Sequence, residues 1–344
     1  MRQYPESSRA TDTSVSRRGF VQSVGAAAAA ASIIPTISRA EEATKPAPEQ
    51  LVKKLYDSMT PAQKADVCFP WDYKDDRGLL RMHVSNNWHI TGERKINSGF
   101  YTKDQQDLIE AIFWGMYSPD WHDRIRKQLK DDADGYGKAQ SIAIFGQPDS
   151  ENFEFVMTGR HLTIRCDGDG SNQVAFGGPI FYGHAAASFY EDAHHPGNVY
   201  WYQAQKANAL YKMLDGKQRE LALIEEAPHE AKVHFGGPDG KPHGIVISEL
   251  SSDQREHAQK VLDALLEPYR TADREEVRRC LLVHGGLEKC RLAFYKSDNL
   301  GEDEEWDNWR IEGPSFVWHY RGSPHVHVWV NISDDPATKI TAEG

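Results

Sequence analysis

The chain has 344 residues, with 51 acidic and 40 basic side chains and a formal net charge of −11. An acidic surface repels phosphate groups, so nucleic acid and anionic lipid are excluded as expected partners. The length allows a sizeable core, and 39% hydrophobic with 10% aromatic residues is typical of a globular protein rather than a disordered one.

Residues 1–40 have the pattern of a twin-arginine signal peptide. Ser16–Phe20 reads SRRGF, an alanine-rich apolar run covers residues 21–37, and Ser38–Ala40 ends in small residues where a signal peptidase cleaves. The alternative is an uncleaved membrane anchor, but the run is short and Pro35 interrupts it. The pattern predicts export by the twin-arginine translocase and a periplasmic or secreted protein with no stable membrane span after cleavage.

The segment after the signal is a polar, proline-containing linker at residues 41–50. Cleavage after residue 40 would remove five arginines and two acids, which changes the net charge from −11 to −14. Twin-arginine export carries folded proteins, often with a cofactor already bound. An exported protein of this kind is therefore compatible with a cofactor but does not require one.

Two parts of the remaining chain resemble each other, which indicates an internal duplication. Residues 55–64 (LYDSMTPAQK) match residues 210–219 (LYKMLDGKQR), and residues 101–117 match the segment that begins at Leu250. The identities are few, so a chance resemblance is the alternative. We expect a first structural repeat, a connector and a second repeat, with the repeats packed as one domain: residues 51–185, 186–204 and 205–335.

Each repeat contains helix-start signals of one kind. In a capping box, a Ser, Thr or Asp accepts a hydrogen bond from the backbone of a Gln three residues later, and that Gln reaches back to the cap. Apolar residues recur at spacings of three and four after two of these boxes, which predicts amphipathic helices over a core. The boxes begin at Thr60, Thr102, Asp215 and Ser251.

Helices followed by strands that end in hairpins predict an α+β fold. We expect two helix–helix–hairpin units related by a pseudo-two-fold axis. Neither hairpin can bury both of its faces alone, so the units should pack as one pseudo-symmetric domain. The fold is predicted to have largely antiparallel sheet, with helices packed on one face.

The last hairpin carries two histidines. Valines at every second position of residues 326–330 predict a half-buried strand, and Arg321–Pro324 has the composition of a turn. We expect Tyr320 to lie opposite His325. This register would put His325 and His327 on the sheet face that carries the aromatic residues of the preceding strand.

The His-x-His spacing of His325 and His327 is one that zinc and copper sites use, because alternate residues of a strand lie ~7 Å apart on one face and can converge on one ion. Such a site needs at least one further ligand. His161, on the matching hairpin of the first repeat, and His184, after its strands, are the candidates. The alternatives are a ligand pocket without metal and a purely structural sheet face.

Two other groups of residues, a pair of histidines and the four cysteines, are candidates for a metal or redox site. The histidines of His229–His234 have one residue too many between them for a zincin helix, so we expect no zinc site there. The four cysteines lack a CxxC pattern. Cys280 and Cys290 could form a disulfide in an oxidising compartment, or all four could be buried thiols.

Several short motifs of the chain can be compared with those of known families. They are FGQP at Phe145–Pro148, GRHL at Gly159–Leu162, GPIFYG at Gly178–Gly183, WRIEGP at Trp309–Pro314 and HVHV at His325–Val328. Taken together, these motifs resemble those of domain-of-unknown-function family 3500, over roughly residues 51–335. The resemblance implies an architecture and an exported setting, and it implies no reaction.

Two functions from different classes remain open. The first is a metal-dependent, hydrolase-like enzyme with His161, His325 and His327 as ligands and an unidentified acid as general base. The second is a non-catalytic periplasmic protein that binds a small molecule or a metal. An open coordination position would favour the enzyme, and a closed one the binding protein.

Overall fold

The computed structural model describes residues 46–168, 174–191, 197–299 and 305–344. The predicted signal peptide and most of the predicted linker lie outside these residues, as does part of the predicted connector. Residues 46–344 form one compact unit. No helix among the described residues is long and apolar enough to cross a membrane.

Helices and short 3₁₀ turns alternate with strands along the described residues. The eight α-helices are α1 (Pro48–Ser58), α2 (Pro61–Val67), α3 (Lys103–Met116), α4 (His122–Ala133), α5 (Trp201–Met213), α6 (Gly216–Ala222), α7 (Ser252–Leu266) and α8 (Thr271–Val283). The 3₁₀ turns are Leu80–Met82, Pro119–Trp121, Ala175–Gly177, Ile247–Glu249 and Leu287–Lys289.

The predicted capping boxes are confirmed at the starts of α2, α3, α6 and α7. At α3, for example, the Thr102 hydroxyl accepts from the Gln105 backbone N–H, and Gln105 Oε1 accepts from the Thr102 backbone N–H at 3.0 Å. Each box satisfies two backbone donors that the first turn of a helix cannot pair internally. The helix starts are therefore a local property of the sequence.

The strands are β1 (Cys68–Phe69), β2 (Lys74–Asp75), β3 (Gly78–Leu79), β4 (His83–Ser85), β5 (Ser141–Gly146), β6 (Phe153–Gly159), β7 (Leu162–Asp167), β8 (Ile180–His184), β9 (Leu223–Ile224), β10 (Ile245–Val246), β11 (Arg291–Tyr295), β12 (Asn308–Gly313), β13 (Phe316–Arg321), β14 (Val326–Ile332) and β15 (Thr341–Glu343).

Eleven of these strands form one sheet, in the order β1-β5-β6-β7-β8-β14-β13-β12-β11-β10, with β9 also beside β11. Among the described strands of this sheet, only the pairs β1–β5 and β9–β11 are parallel. The sheet is thus mostly antiparallel, and the α+β prediction is confirmed. Strands β8 and β14 pair at its centre and join the part built before the connector to the part built after it.

The two parts of the sheet have corresponding elements. In each part, a capped helix leads directly into a two-residue strand, α2 into β1 and α6 into β9. That short strand pairs in parallel with the first strand of a series of antiparallel strands, β1 with β5 and β9 with β11. These parallels agree with an internal duplication. The duplication itself and the boundaries of the repeats remain predictions.

The predicted register of the last hairpin is wrong. Tyr320 lies opposite Val328 and Arg321 lies opposite His327. Residues 322–326 therefore connect the paired residues of the two strands, and this connection is longer than the predicted turn, Arg321–Pro324. The observed register differs from the predicted one by three residues, an odd number, and an odd shift exchanges the two faces of a strand. His327 therefore shares its face with Arg321 and Trp329.

Both faces of the sheet are covered. All the predicted helix stripes pack on one face, where residues such as Phe113, Leu265 and Trp318 are fully buried in the main core. The opposite face is covered by less regular chain, and its smaller cores include Phe181 and Trp329. The strands are buried on both sides as a result, and His327 lies on the face away from the helices.

Candidate metal centre

Three histidines converge at one end of the central strands. His161 lies in the turn between β6 and β7, His325 directly precedes β14, and His327 lies within β14. His161 Nε2 is 3.2 Å from His325 Nε2 and 3.1 Å from His327 Nε2. All three side chains are buried, and their ligand atoms lie within 4.8 Å of one another. The structure thus brings together three of the four predicted ligands.

The backbone around His161 explains how its ring reaches the centre. Arg160 and His161 alone connect the paired residues Gly159 and Leu162, and His161 has a φ of 54°. This left-handed conformation is uncommon for a residue with a side chain. The His161 N–H donates to the Asn86 carbonyl at 3.1 Å, which holds the turn in place.

A glycine on the neighbouring strand makes room for the ring. A Cβ atom at Gly183 would lie 2.4 Å from the Val326 carbonyl oxygen and 3.3 Å from His161 Cγ. Real Cβ atoms do not approach a backbone oxygen that closely. Only glycine at position 183 therefore allows β8 and β14 to pair while the His161 ring lies over them.

Each of the three rings turns its other nitrogen, Nδ1, towards an oxygen that can only accept a hydrogen bond. His325 Nδ1 lies 2.8 Å from the Phe189 carbonyl oxygen, and His327 Nδ1 lies 2.9 Å from Glu230 Oε2. His161 Nδ1 lies 2.9 Å from Asp132 Oδ1, although the angle at its N–H is unfavourable. The hydrogens of the neutral His325 and His327 rings belong on Nδ1, which leaves the Nε2 lone pairs of these two rings facing His161 Nε2.

Burial keeps two of these rings neutral. It lowers the pKa of His325 to about 4 and that of His327 to about 3. A proton shared among the Nε2 atoms is therefore disfavoured near neutral pH. Three imidazole nitrogens that converge in this way are a set of ligands for a cation.

Glu230 is the anionic partner of this group. Burial by itself would raise its pKa, but hydrogen bonds from His327 Nδ1 and Trp329 Nε1 and the charge of Arg321 lower the pKa to about 2. The same oxygen, Oε2, is 3.3 Å from Trp329 Nε1 and 3.3 Å from Arg321 Nε. Glu230 therefore accepts as a carboxylate from a neutral His327 and orients its ring.

Asp132, the partner of His161, is held by hydrogen bonds on the helix side of the sheet. It lies at the end of α4, where Gln128 Nε2 donates to Oδ2 at 2.8 Å and the Ala185 N–H donates to Oδ1 at 3.1 Å. Its side chain has no solvent exposure. The centre thus lies where the helix layer and the chain covering the opposite face meet at the ends of the strands.

His184 is not part of the group. Its Nε2 lies 3.0 Å from Asp131 Oδ2, and its Nδ1 accepts from the Val199 N–H at 3.1 Å, so both ring nitrogens are already engaged. Burial lowers the pKa of this imidazole. The ring links β8 to α4 and to the chain before α5, and the candidate ligand set reduces to His161, His325 and His327.

Two of the three separations between these nitrogens fit a small transition-metal ion, and the third, between His325 and His327, lies within 4.8 Å. A tetrahedral zinc ion with Zn–N distances of ~2.0–2.1 Å needs nitrogens about 3.3–3.4 Å apart. The two measured separations, 3.1 and 3.2 Å, are close to this value. Among the described residues, no fourth His, Cys, Asp or Glu joins the group. Three protein ligands with one free position are the arrangement found in catalytic zinc sites.

Sequence reasoning missed the residues that orient the ligands. Asp132, Phe189 and Glu230 come from α4, from the loop after β8 and from an irregular segment before β10. Glu230 lies within the His229–His234 motif, where we expected no zincin-type zinc helix. The structure agrees, since this segment is not helical. A contact between Glu230 and His327, 97 residues apart, has no signal in local spacing.

The fold and the site define an α+β protein with a buried three-histidine centre whose rings are oriented by two carboxylates and a carbonyl. The chain belongs to DUF3500, a family of proteins of unknown function, whose model matches residues 41–334. This match confirms the family resemblance of the sequence motifs. No curated protein and no solved structure matches the chain.

Proposed function

We propose that this protein binds one divalent transition-metal ion, zinc or copper, through Nε2 of His161, His325 and His327, and that it is a metal-dependent, hydrolase-like enzyme. The observation that supports the proposal is the convergence of three Nε2 atoms, each on a ring whose Nδ1 faces an acceptor. Outer partners of this kind fix the tautomer and raise the basicity of ligating histidines.

The charges around the centre favour an anion at the free position. A divalent ion and the Arg321 guanidinium would exceed the carboxylates of Asp132 and Glu230 by one positive charge. Arg321 is near enough to contribute, since its Nη2 is 3.5 Å from the His325 carbonyl oxygen. A metal ion bound here would supply a water with a pKa lowered towards neutrality, the nucleophile of a hydrolytic reaction.

The protein's own residues have clear roles in this proposal. The three histidines bind the ion, Glu230 and Asp132 keep two of the rings aligned, and the Phe189 carbonyl aligns the third. The site is almost closed, because each ligand side chain is only a few per cent exposed. Burial of this degree excludes bulk water and strengthens the electrostatic interactions at the ion.

A second candidate is a non-catalytic protein that holds a metal or small molecule at the same site. The low exposure of the three ligands favours this alternative, since a substrate would need access that the ion alone does not. The two candidates share the metal centre. They differ in whether a molecule with a hydrolysable group reaches it.

We also propose that the protein is exported as a folded, metal-loaded protein. The SRRGF sequence at Ser16–Phe20 and the small residues at Ser38–Ala40 support this proposal. A fusion of residues 1–45 to a reporter that is active only after twin-arginine transport would test it. Replacement of Arg17 and Arg18 by Lys should keep the reporter in the cytoplasm, and unchanged export would contradict the assignment.

The test of the metal centre is the metal content of the purified protein, measured by mass spectrometry after zinc loading and extensive dialysis. The wild type should retain about one ion per chain, and His161→Ala, His325→Ala and His327→Ala should each retain much less. His257→Ala is the matched control, because His257 is half-buried on α7, lies outside the three-histidine group and has its Nε2 3.1 Å from the Lys206 carbonyl oxygen. Equal metal content in all variants would refute the ligand assignment.

Activity separates the two candidate functions. The zinc-loaded wild type should hydrolyse a panel of activated esters or amides faster than the His327→Ala variant, while His257→Ala should match the wild type. If the protein retains the metal but shows no histidine-dependent hydrolysis, the binding protein is the correct alternative.

A further inference from the structure

Two exposed aromatic side chains lie beside the metal centre. Phe189 is 56% exposed and Tyr190 is 75% exposed, and they are the only exposed aromatic side chains among the described residues. Their rings meet edge to face with centroids 4.9 Å apart. Single exposed apolar residues are ordinary, whereas an adjacent pair at the edge of a site is typical of a surface that binds something.

The pair is joined directly to a metal ligand. The Phe189 ring packs edge to face on the His325 ring with centroids 5.0 Å apart, and the Phe189 carbonyl accepts from His325 Nδ1. A metal ion lies roughly 3 Å from the centroid of a histidine that binds it through Nε2. The Phe189 ring is therefore within about 8 Å of the ion position, which is the reach of one ring-bearing substituent.

The loop that carries the pair is held at several points. The Ala187 N–H donates to Glu191 Oε2 at 2.8 Å, and the Glu191 N–H donates to the Pro324 carbonyl at 2.9 Å, directly before His325. The Glu191 side chain also accepts from Asn198 Nδ2 at 3.2 Å. Phe189 and Tyr190 are thus presented to solvent by an anchored loop, which reduces the entropy lost when a ligand binds to them.

We propose that Phe189 and Tyr190 select substrates that carry an apolar or aromatic ring next to the metal-binding group. The inference rests on the proposed metal centre. Flat rings bind aromatic side chains through offset stacking and edge-to-face contacts, and such contact adds about tenfold to affinity. An acyl group without a ring would reach the ion but leave the aromatic pair in water.

Two hydroxamates that differ only in the ring provide the test. Benzohydroxamate and acetohydroxamate bind zinc through the same two oxygens, and their affinities for the zinc-loaded protein can be measured by calorimetry. The wild type should bind benzohydroxamate about tenfold more tightly than acetohydroxamate. Tyr190→Ala should reduce this ratio to about twofold or less without changing the affinity for acetohydroxamate, and Phe189→Ala should reduce the ratio as well.

Leu282→Ala is the control, because Leu282 is a 70% exposed apolar residue on α8 and should leave the ratio unchanged. Metal content and thermal unfolding of each variant show that it is loaded and folded. Equal binding of the two probes by the wild type, or an unchanged ratio in Tyr190→Ala, would overturn this inference and leave the metal centre standing. Binding of neither probe by a protein that retains no zinc would overturn both.

Discussion

The substitution Glu230→Gln tests whether the residues around the three histidines serve a metal ion. Glu230 Oε2 accepts from His327 Nδ1 at 2.9 Å and lies 3.3 Å from donors on both Trp329 and Arg321. Glutamine keeps the shape and can offer one amide oxygen to His327. It removes the negative charge, and with it the attraction to Arg321 and the polarisation of the imidazole.

The expected effect is a weaker metal site in a folded protein. Loss of a partner that orients a ligating histidine typically lowers metal affinity by about 10–100-fold, or about 1.4–2.7 kcal/mol of binding free energy. Competitive titration of zinc against a chromophoric chelator measures this change. His327→Ala should abolish tight binding, since it removes a ligand, so Glu230→Gln should lie between this variant and the wild type.

Glu225→Gln is the matched control, because Glu225 is a largely exposed carboxylate that forms an ion pair with Lys296. Its zinc affinity should stay within about twofold of the wild type, as exposed ion pairs contribute little. Zinc affinity unchanged in Glu230→Gln would show that Glu230 is a structural partner of His327 and Arg321 alone, and the reasoning from oriented rings to a metal ligand would fail.

Three further predictions concern the fold that holds the site. Gly183→Ala should destabilise the protein by about 1–3 kcal/mol in urea unfolding and lower zinc retention, because its Cβ would lie 2.4 Å from the Val326 carbonyl; wild-type behaviour would contradict the close approach. Thr102→Ala should cost about 1 kcal/mol of unfolding free energy through loss of the α3 cap, whereas the exposed Ser98→Ala should change it little, and equal effects would contradict the capping box. Titration with a thiol reagent in denaturant without reductant should detect four thiols, and a count of two would restore the disulfide alternative. These thiols belong to Cys68, Cys166, Cys280 and Cys290, none of which is disulfide-bonded in the structure.

Cysteine pairing is a case that the sequence left open and the structure decided. Spacing in the sequence allowed a bridge between Cys280 and Cys290, but neither is disulfide-bonded in the structure, and both side chains are buried in the main core. Burial raises the pKa of the Cys290 thiol to about 12. A thiol in this environment is unreactive and packs as a small apolar side chain.

The histidine centre shows where prediction from the sequence stopped. Alternation along β14 and the matching hairpin turn were enough to select His161, His325 and His327. The register of β13 and β14 was predicted wrongly, because turn composition indicates that a turn exists but not how many residues it contains. The predicted aromatic neighbours of the histidines therefore lie on the opposite face of the sheet.

The sequence alone determined the features that depend on neighbours within about four residues. These are the four helix caps, the apolar stripes of α3 and α7, and the strand that carries His327. Backbone hydrogen bonding and side-chain spacing in one element set such features before any tertiary contact forms.

Only the tertiary structure decided what surrounds the histidines. His161 meets His327 across 166 residues, and Glu230 meets it across 97. These contacts depend on the order of the strands in the sheet and on the register in which the strands pair. A shift of that register by an odd number of residues would turn every side chain of the strand to the opposite face of the sheet. Nothing in the local pattern of either segment records those two choices, so the oriented ligand set appears only when the sheet is assembled.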